Sequence, residues 1–367
     1  MSFITSIGTA VPPDQFHQDV ITRFMEKVML PDYEGGRKLK TIFKYSGIDT
    51  RHSVLKDYGK QSGFNFYPNT KDFEPFPSTE RRLLEYRKHA LPLCIEAIND
   101  CFHYSSTTVS KEVTHLIVVS CTGMYAPGLD IDLVKSLGLR ENVQRTCINF
   151  MGCYAAFNAL KVADSICRSD STACVLVVCV ELCTLHFQKE ATEDNMLANA
   201  LFADGAAAML IKPEAKPGWS FSLEAFHNAL AFNGKEHMAW SVGNLGFEMK
   251  LSTYVPDVIR VGIKKLTGSL LEKVGKSINE VKFFAIHPGG KKILEVIEQE
   301  LGITKDQNIP AYTILKNYGN MSSATVVFVL NHILNQLKEG DQNESVLSFA
   351  FGPGLTLESM LLTIHYA

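Results

Sequence analysis

The sequence predicts an α/β protein that is built from two related halves. His115–Gly123 and Lys282–Gly290 are each an apolar run broken by a glycine turn. Such runs, with β-branched residues, are typical of strands that are buried on both faces. Gly152–Ile166 and Gly319–Leu334 each begin with glycine and continue through small residues into an apolar helical pattern. Because both patterns recur in the same order, we expect two α/β halves packed together.

Further elements follow each pair in the same order. After the two strands come the helical segments Leu129–Leu139 and Lys291–Ile303, and the second has its apolar residues on one face. After the two small-residue segments come the apolar runs Ala173–Leu182 and Ser345–Gly354, which predict two more buried strands.

The boundary between the halves is predicted from composition. Lys212–Ser220 is rich in proline and glycine and lies between two strand signals. We therefore expect residues 1–214 to form an N-terminal half and residues 215–367 to form a C-terminal half. Residues 56–82 are polar and aromatic and contain proline, so they predict an irregular surface segment.

Composition excludes several classes of function. The chain has 367 residues, with 36 Lys and Arg against 39 Asp and Glu, and a net charge of -3. This balance argues against a nucleic-acid partner, which favours a basic protein surface. No apolar stretch is long enough to predict a membrane span. The nine cysteines form no CxxC pair, which argues against a disulfide framework or a zinc site and favours the cytoplasm.

One cysteine lies where a nucleophile could be activated. Cys153 follows Gly152 and is predicted at the first turn of a helix. The partial positive charge and free N–H groups of a helix N-terminus favour the thiolate. Cysteine is also among the most commonly buried residue types, so Cys153 could simply pack in the core.

Two further side chains complete a possible catalytic set. His287 ends a predicted strand at the carboxyl edge where α/β sheets carry ligands, and Asn320 occupies the position equivalent to Cys153 in the second half. Taken alone, His287 could be an ordinary surface residue and Asn320 a helix cap. Together they suggest a thiolate nucleophile with an imidazole and an amide that stabilise a developing oxyanion or enolate.

Seven sequence blocks then point to a family. They read SIGTAVPP, CTGMYAPGLDIDLVKSLGLR, FMGCYAAFNAL, LFADGAAAML, HPGGKKILE, YGNMSSA and FGPGLTLE. In order and spacing, the chain resembles type III polyketide synthases, the chalcone-synthase-like branch of the thiolase fold, over nearly its whole length. The resemblance implies a layered αβαβα architecture that is made of two thiolase-like halves.

The resemblance also implies a reaction. Cys153 would carry the acyl starter as a thioester, and His287 and Asn320 would drive the decarboxylation of malonyl-CoA. The resulting enolate would extend the chain by two carbons in each cycle, before cyclisation to a pyrone or a small aromatic product. The substrates would be CoA thioesters, with no metal or redox cofactor, and the enzyme would be a homodimer.

Residues of the substrate site follow from the same resemblance. Phe202 matches a gatekeeper phenylalanine between the CoA tunnel and the cavity, and Met249 stands at the second gatekeeper position. Ser322 matches a serine that lines the cavity. Lys38 matches a lysine that contacts CoA, whereas two other cations of the family are replaced by Thr41 and Tyr45.

The sequence departs from the plant enzymes at four cavity positions. Trp240 stands where chalcone synthases have glycine, and Cys121, Cys183 and His186 stand where they have threonine. An indole that points inward would shorten the product, because a packed wall resists displacement. An indole that points outward would only pack on the surface.

Three alternatives use the same residues differently. A KAS III-type ketoacyl synthase would also use Cys, His and Asn but would condense once with a carrier-protein thioester; the segments GNMSSA and FGPGLT argue against it. A papain-like hydrolase shares the residue types, but its local sequence signature is absent. A non-catalytic scaffold would not need the triad.

Overall fold

The computed structural model describes residues 1–30, 32–102, 110–234 and 236–367. The helices are α1 Gln18–Met29, α2 Tyr33–Tyr45, α3 Thr79–Phe102, α4 Leu129–Leu137, α5 Ala155–Ser169, α6 Glu193–Leu201, α7 Val255–Glu272, α8 Lys291–Leu301, α9 Ile309–Tyr318 and α10 Thr325–Leu334. The strands are β1 Phe3–Ala10, β2 Gln15–His17, β3 Thr50–His52, β4 His115–Ser120, β5 Gln144–Asn149, β6 Val175–Leu182, β7 Asp204–Lys212, β8 Trp219–Leu230, β9 Met238–Gly243, β10 Gly246–Leu251, β11 Val281–Ile286, β12 Ser345–Gly352 and β13 Thr356–Tyr366.

One large mixed sheet joins the two parts of the chain. In the described residues it has nine strands in the order β11-β12-β13-β8-β1-β7-β6-β4-β5. The N-terminal strands lie on one side and the C-terminal strands on the other. They meet where β1 pairs with β8, with Phe3 opposite Ser222 and Ile4 opposite Phe221. The predicted division after residue 214 falls in the loop between β7 and β8, and it stays a prediction.

The predicted core elements are confirmed. Strands form within all four predicted apolar runs, as β4, β6, β11 and β12, and helices form where the four helical patterns predict them. Every residue of β6 and of β12 is buried, as expected for strands that are covered on both faces.

Three apolar clusters show the layered architecture. The first packs α1, α2 and α3 on one face of the N-terminal strands. The second places α5 and α10 between the N-terminal and C-terminal strands, and the third covers the other face of the C-terminal strands with α7, α8 and α9. Small residues on α5, such as Ala155, Ala159 and Ala163, are fully buried and let its backbone approach both groups of strands. The α/β thiolase-like fold is therefore confirmed.

Residues 56–82 are irregular up to the start of α3 and most of them are exposed, as predicted, but the segment also buries a cluster of aromatic side chains. Their aromatic side chains, including Tyr67 and Phe76, are buried and pack around Phe187. The guanidinium of Arg82 is buried beside Phe76 and donates to the Phe187 carbonyl. The sequence did not predict this cluster, because the aromatic residues are irregularly spaced and come together only after the chain has folded back.

None of the helices in the described part of the chain is long and apolar enough to cross a bilayer.

Candidate active site

Cys153 lies at a tight turn that leads into α5. Gly152 has a φ of 81°, and a Cβ atom there would lie 2.4 Å from Pro353, so glycine is required at this position. Cys153 and Tyr154 complete the turn, and the helix begins at Ala155. The sequence predicted Cys153 in the first helical turn, whereas in the structure it precedes that turn. It still lies directly before the N-terminus of α5.

His287 follows β11 and has no hydrogen-bond partner for its ring. Its backbone N–H donates to Phe349 O at 2.8 Å, which extends the pairing of β11 with β12 by one residue. The side chain is only 1% exposed, and neither ring nitrogen has a partner among the described residues. Burial lowers the pKa of His287 to about 3, so the imidazole is neutral. A neutral ring with both nitrogens unpaired can accept a proton from a thiol or donate one to a substrate.

Asn320 is held by both its backbone and its side chain. Its N–H donates to Leu201 O and its carbonyl accepts from Ala203 N–H, at 2.8 and 2.9 Å, which fixes it beside Phe202. Its Oδ1 accepts from the Ser322 N–H at 2.8 Å. This contact orients the amide and leaves Nδ2 at 4.0 Å from the Sγ of Cys153.

Burial and local contacts have opposite effects on the pKa of the Cys153 thiol. Burial raises its pKa, whereas contacts with Ser322 and Asn320 lower it. Burial therefore favours a neutral thiol beside a neutral imidazole. This differs from the expectation that the helix N-terminus alone would favour the thiolate.

The three side chains meet at one cavity of about 320 Å³. Of the positions that the sequence singled out, those on its wall are Tyr45, Cys121, Cys153, Cys183, Phe202, Trp240, Met249, His287, Asn320 and Ser322. Most of the other lining side chains are apolar, which is typical of a small-molecule site with a few placed polar groups.

A β-hairpin forms one wall of this cavity. Strands β9 and β10 are antiparallel, with Trp240 opposite Met249 and Met238 opposite Leu251. All four residues line the cavity. Since alternate residues of a strand face the same side, the two cross-strand pairs form one continuous surface.

The indole of Trp240 points inward. Its Nε1 donates to Cys121 O at 2.8 Å, and its ring packs edge-on against His186 and Phe247. The hydrogen bond joins the hairpin to the loop after β4, so the indole is held in place from both sides. Of the two orientations that the sequence left open, the structure has the inward one.

His186 lies behind Trp240 and not on the wall of the main cavity. Its Nδ1 accepts from the Phe247 N–H at 2.9 Å, so its Nε2 carries the proton and donates to Thr122 O at 2.6 Å. Burial lowers its pKa to about 3. The side chain therefore has no donor or acceptor left for a substrate; it supports Trp240 and lines a smaller space behind it.

Lys38 is likewise absent from the cavity lining. Its Nζ forms an ion pair with Glu193 at 2.5 Å. The cations that line the cavity are Lys291 and Lys292, at the start of α8. Sequence reasoning quoted these two residues within a family block but did not assign them a role.

Glu181 is a buried carboxylate that the sequence analysis also missed. It accepts hydrogen bonds from Cys121 N–H, Thr122 Oγ1 and Ser323 Oγ, and so ties the loop after β4 to the start of the C-terminal helical segment. Burial raises its pKa to about 7. A single acidic residue in the apolar run Ala173–Leu182 was the available signal.

No cluster of three or more His, Cys, Asp or Glu side chains suited to a metal ion occurs within the described ranges.

Family models divide the chain in two. The N-terminal domain of chalcone and stilbene synthases matches residues 1–215, and the C-terminal domain of the same family matches residues 223–365.

Two proteins that are similar in sequence are named as polyketide synthases. An alpha-pyrone synthesis polyketide synthase-like protein of Mycobacterium tuberculosis is 29% identical over 99% of this chain and 91% of its own length. A probable polyketide synthase of Dictyostelium discoideum is 31% identical over 98% of this chain, which spans only 11% of that much longer protein.

Solved structures agree with this assignment. The C-terminal type III polyketide synthase domain of Steely1, a type I/III hybrid from Dictyostelium, matches with a TM-score of 0.90, 31% identity and 99% coverage of both chains. A polyketide synthase of the brown alga Ectocarpus siliculosus matches with a TM-score of 0.88 and 29% identity, over 99% of this chain and 98% of its own. These findings support a type III polyketide synthase and not the ketoacyl synthase alternative. The chain belongs to the chalcone and stilbene synthase family of condensing enzymes.

Proposed function

We propose that this enzyme extends an acyl starter, held on Cys153, with two-carbon units from malonyl-CoA. The observation that carries the proposal is the convergence of a thiol, an unpartnered imidazole and an oriented amide on one apolar cavity. Each of the three has the chemistry that one step of such a condensation needs.

Acylation is the first step. The Sγ of Cys153 attacks the thioester carbonyl of the starter, a new C–S bond forms, and the C–S bond to CoA breaks. His287 accepts the thiol proton and returns it to the departing CoA sulfur. The neutral state of His287 suits it to accept that proton.

Decarboxylation and condensation follow. The carbonyl oxygen of malonyl-CoA accepts hydrogen bonds from Asn320 Nδ2 and from the protonated nitrogen of His287. Carbon dioxide leaves, and its bonding electrons form an enolate, which these donors stabilise. The enolate carbon attacks the acyl carbonyl on Cys153, so that a C–C bond forms and the sulfur is released for the next cycle.

CoA would enter beside the start of α8. Lys291 and Lys292 line the cavity, and their opposing carboxylate, Glu295, lies at 3.8 and 3.4 Å, which leaves one net positive charge for the two lysines. Lys38 is neutralised by Glu193. We therefore favour Lys291 and Lys292 as the main contacts for the CoA phosphates, with Lys38 in a minor role.

Short products are the expected outcome. The inward indole of Trp240 limits the space available to a growing chain, and a packed aromatic wall yields little. We propose that the enzyme releases a short pyrone from a small or apolar starter. The relative from Mycobacterium tuberculosis, whose name refers to alpha-pyrone synthesis, supports a product of this class.

A homodimer and a cytoplasmic location complete the proposal. Strand β5 lies at the edge of the large sheet, and most of its residues are exposed. An exposed edge strand favours pairing with a second copy of the chain. All nine cysteines are free thiols, which favours a reducing compartment.

The test compares the wild type with Cys153→Ala, supplied with malonyl-CoA and a panel of acyl-CoA starters. We expect products with more than one extension from the wild type and none from Cys153→Ala. Cys174→Ala, which changes a buried thiol that lies outside both the cavity and β5, is the matched control and should retain activity. Turnover that requires an acyl carrier protein and stops after one condensation would instead support a ketoacyl synthase.

A further inference from the structure

A second, smaller chamber of about 30 Å³ lies behind the main cavity. The two spaces share four wall residues, Cys183, Phe202, Trp240 and Met249. The chamber is large enough for about two water molecules or a group of similar size. Because Met249 is a flexible side chain on the shared wall, a chain that grows in the main cavity can reach the chamber by displacing it.

The chamber has a buried cation on its wall. Arg51 is 2% exposed, and it donates through Nε to Gln18 Oε1 at 2.9 Å and through Nη1 to Asn199 O at 2.8 Å. Its Nη2 has no hydrogen-bond partner among the described residues. A buried donor without an acceptor is costly, so this nitrogen is suited to bind one.

The charge of Arg51 is also unpaired. None of the carboxylates in the described residues lies within ion-pair distance of it. Asp204, which acts on it electrostatically, has its own oxygens occupied by Val54 N–H, Thr184 N–H and Thr184 Oγ1, at 2.8, 2.8 and 2.6 Å. An oxygen acceptor in the chamber would therefore lie beside the guanidinium of Arg51, which forms no ion pair with a carboxylate of the described residues.

We propose that this chamber is a subsite for an oxygen atom at the end of the acyl chain remote from the thioester, and that Arg51 Nη2 donates a hydrogen bond to it. The inference rests on the proposed function, because the acyl chain must be anchored on Cys153 to extend this way. A neutral keto oxygen fits this site better than a carboxylate, because Asp204 already supplies a negative charge near Arg51 and would repel a second one. Both a keto-bearing starter and the keto groups formed during extension offer this chemistry.

Paired starters test the subsite. Straight-chain acyl-CoA thioesters of increasing length are compared with analogues that carry a keto group near the far end, and kcat/KM is measured for each with malonyl-CoA. At the length that reaches the chamber, the wild type should prefer the keto starter by about tenfold or more, because a hydrogen bond to a charged donor in a buried site is strong. Equal values at every length would mean that the chamber holds only water, and would overturn the proposal.

Two variants locate the preference in the chamber. Arg51→Lys keeps the positive charge but removes Nη2, together with the Nη1 hydrogen bonds to the carbonyls of Asn199 and Phe202, so the keto preference should disappear. Ala198→Val fills the chamber from α6, leaves Arg51 in place, and should have the same effect. Ala225→Val, on β8 and away from both spaces, is the matched control and should keep the preference. A keto preference that persists in Ala198→Val would overturn the proposal even if Arg51→Lys does not fold.

The products show whether the oxygen comes from the starter or from a keto group formed during extension. If keto groups formed during extension also use the subsite, Arg51→Lys should shift the product distribution towards fewer extensions with a plain alkyl starter. If only starters use it, that distribution should not change. Absence of any condensation with alkyl starters in the wild type would contradict the proposed function itself, and not only the subsite.

Discussion

Replacement of Trp240 by glycine should lengthen the polyketide or admit larger starters. The indole lines both the main cavity of about 320 Å³ and the chamber of about 30 Å³ behind it. Its removal opens the wall between the two spaces and adds the volume of the side chain to them. His186 and Phe247, which support the ring from behind, are stacked on each other with centroids 4.2 Å apart and remain in place.

The cost in stability can be worked from the contacts that are lost. Truncation of a buried tryptophan typically lowers the free energy of unfolding by about 3–5 kcal/mol. Trp240 is only partly buried, which favours the lower end, but it also loses the hydrogen bond to Cys121 O, and glycine is unfavourable in a strand. We expect a loss of about 3 kcal/mol, which a protein of ordinary stability can survive.

The assay is mass spectrometry of the products from malonyl-CoA and a series of acyl-CoA starters, with unfolding followed by calorimetry. Trp240→Phe is the matched control, because it keeps an aromatic wall but has no N–H group, and its product length should stay close to that of the wild type. If Trp240→Gly turns over normally and yields the same products from the same starters, the reasoning that the indole limits the chain is wrong.

Three further predictions concern other parts of the site. Asn320→Ala should slow malonyl-CoA decarboxylation by about 10²–10³, as loss of one oxyanion donor does, and acylation by much less; decarboxylation at the normal rate would remove Asn320 from the mechanism. Lys292→Ala should raise KM for CoA thioesters by about two- to fivefold but not for N-acetylcysteamine thioesters, which lack the phosphates; an equal effect of Lys38→Ala would show that Lys38 on α2 also contacts the CoA phosphates. Burial raises the pKa of Glu181 to about 7, so the folded state holds this proton more tightly than the unfolded state, and ionisation between about pH 4.5 and 7 destabilises the fold. The stability of the wild type relative to Glu181→Gln should therefore fall as pH rises through this window, and urea unfolding at a series of pH values that shows no such trend would contradict the raised pKa.

The parts of the fold that were predictable are those with a strong local signal. The buried strands β6 and β12 have mainly apolar sequences, and each of the two small-residue segments begins with a glycine that leads into a helical pattern. The three candidate catalytic residues each lie at an element boundary that a glycine marks. Such boundaries depend on neighbours in sequence, so they can be read without knowledge of the tertiary structure.

The parts that were missed depend on contacts between distant segments. His186 was expected on the wall of the main cavity, but it lies behind Trp240 on the wall of the smaller chamber, where hydrogen bonds to Phe247 and Thr122 hold it. The aromatic residues of segment 56–82 carry no period, and Arg51 looks like one basic residue among several. Their burial is set by the way in which separate elements pack, and no local pattern in the sequence encodes it.

The distribution of the site across the fold explains why the two halves must stay together. Cys153 belongs to the N-terminal part of the chain, whereas His287 and Asn320 belong to the C-terminal part. One coupling at the site is the backbone pairing of Asn320 with Leu201 and Ala203, since two hydrogen bonds of 2.8 and 2.9 Å set the amide relative to Phe202 and the cavity. The carboxylate of Glu181 adds a second link, because it binds Thr122 in one part and Ser323 in the other. A relative shift of the two parts by even 1 Å would therefore break buried hydrogen bonds before it misaligned the nucleophile, so the polar contacts that join the halves also hold the catalytic geometry.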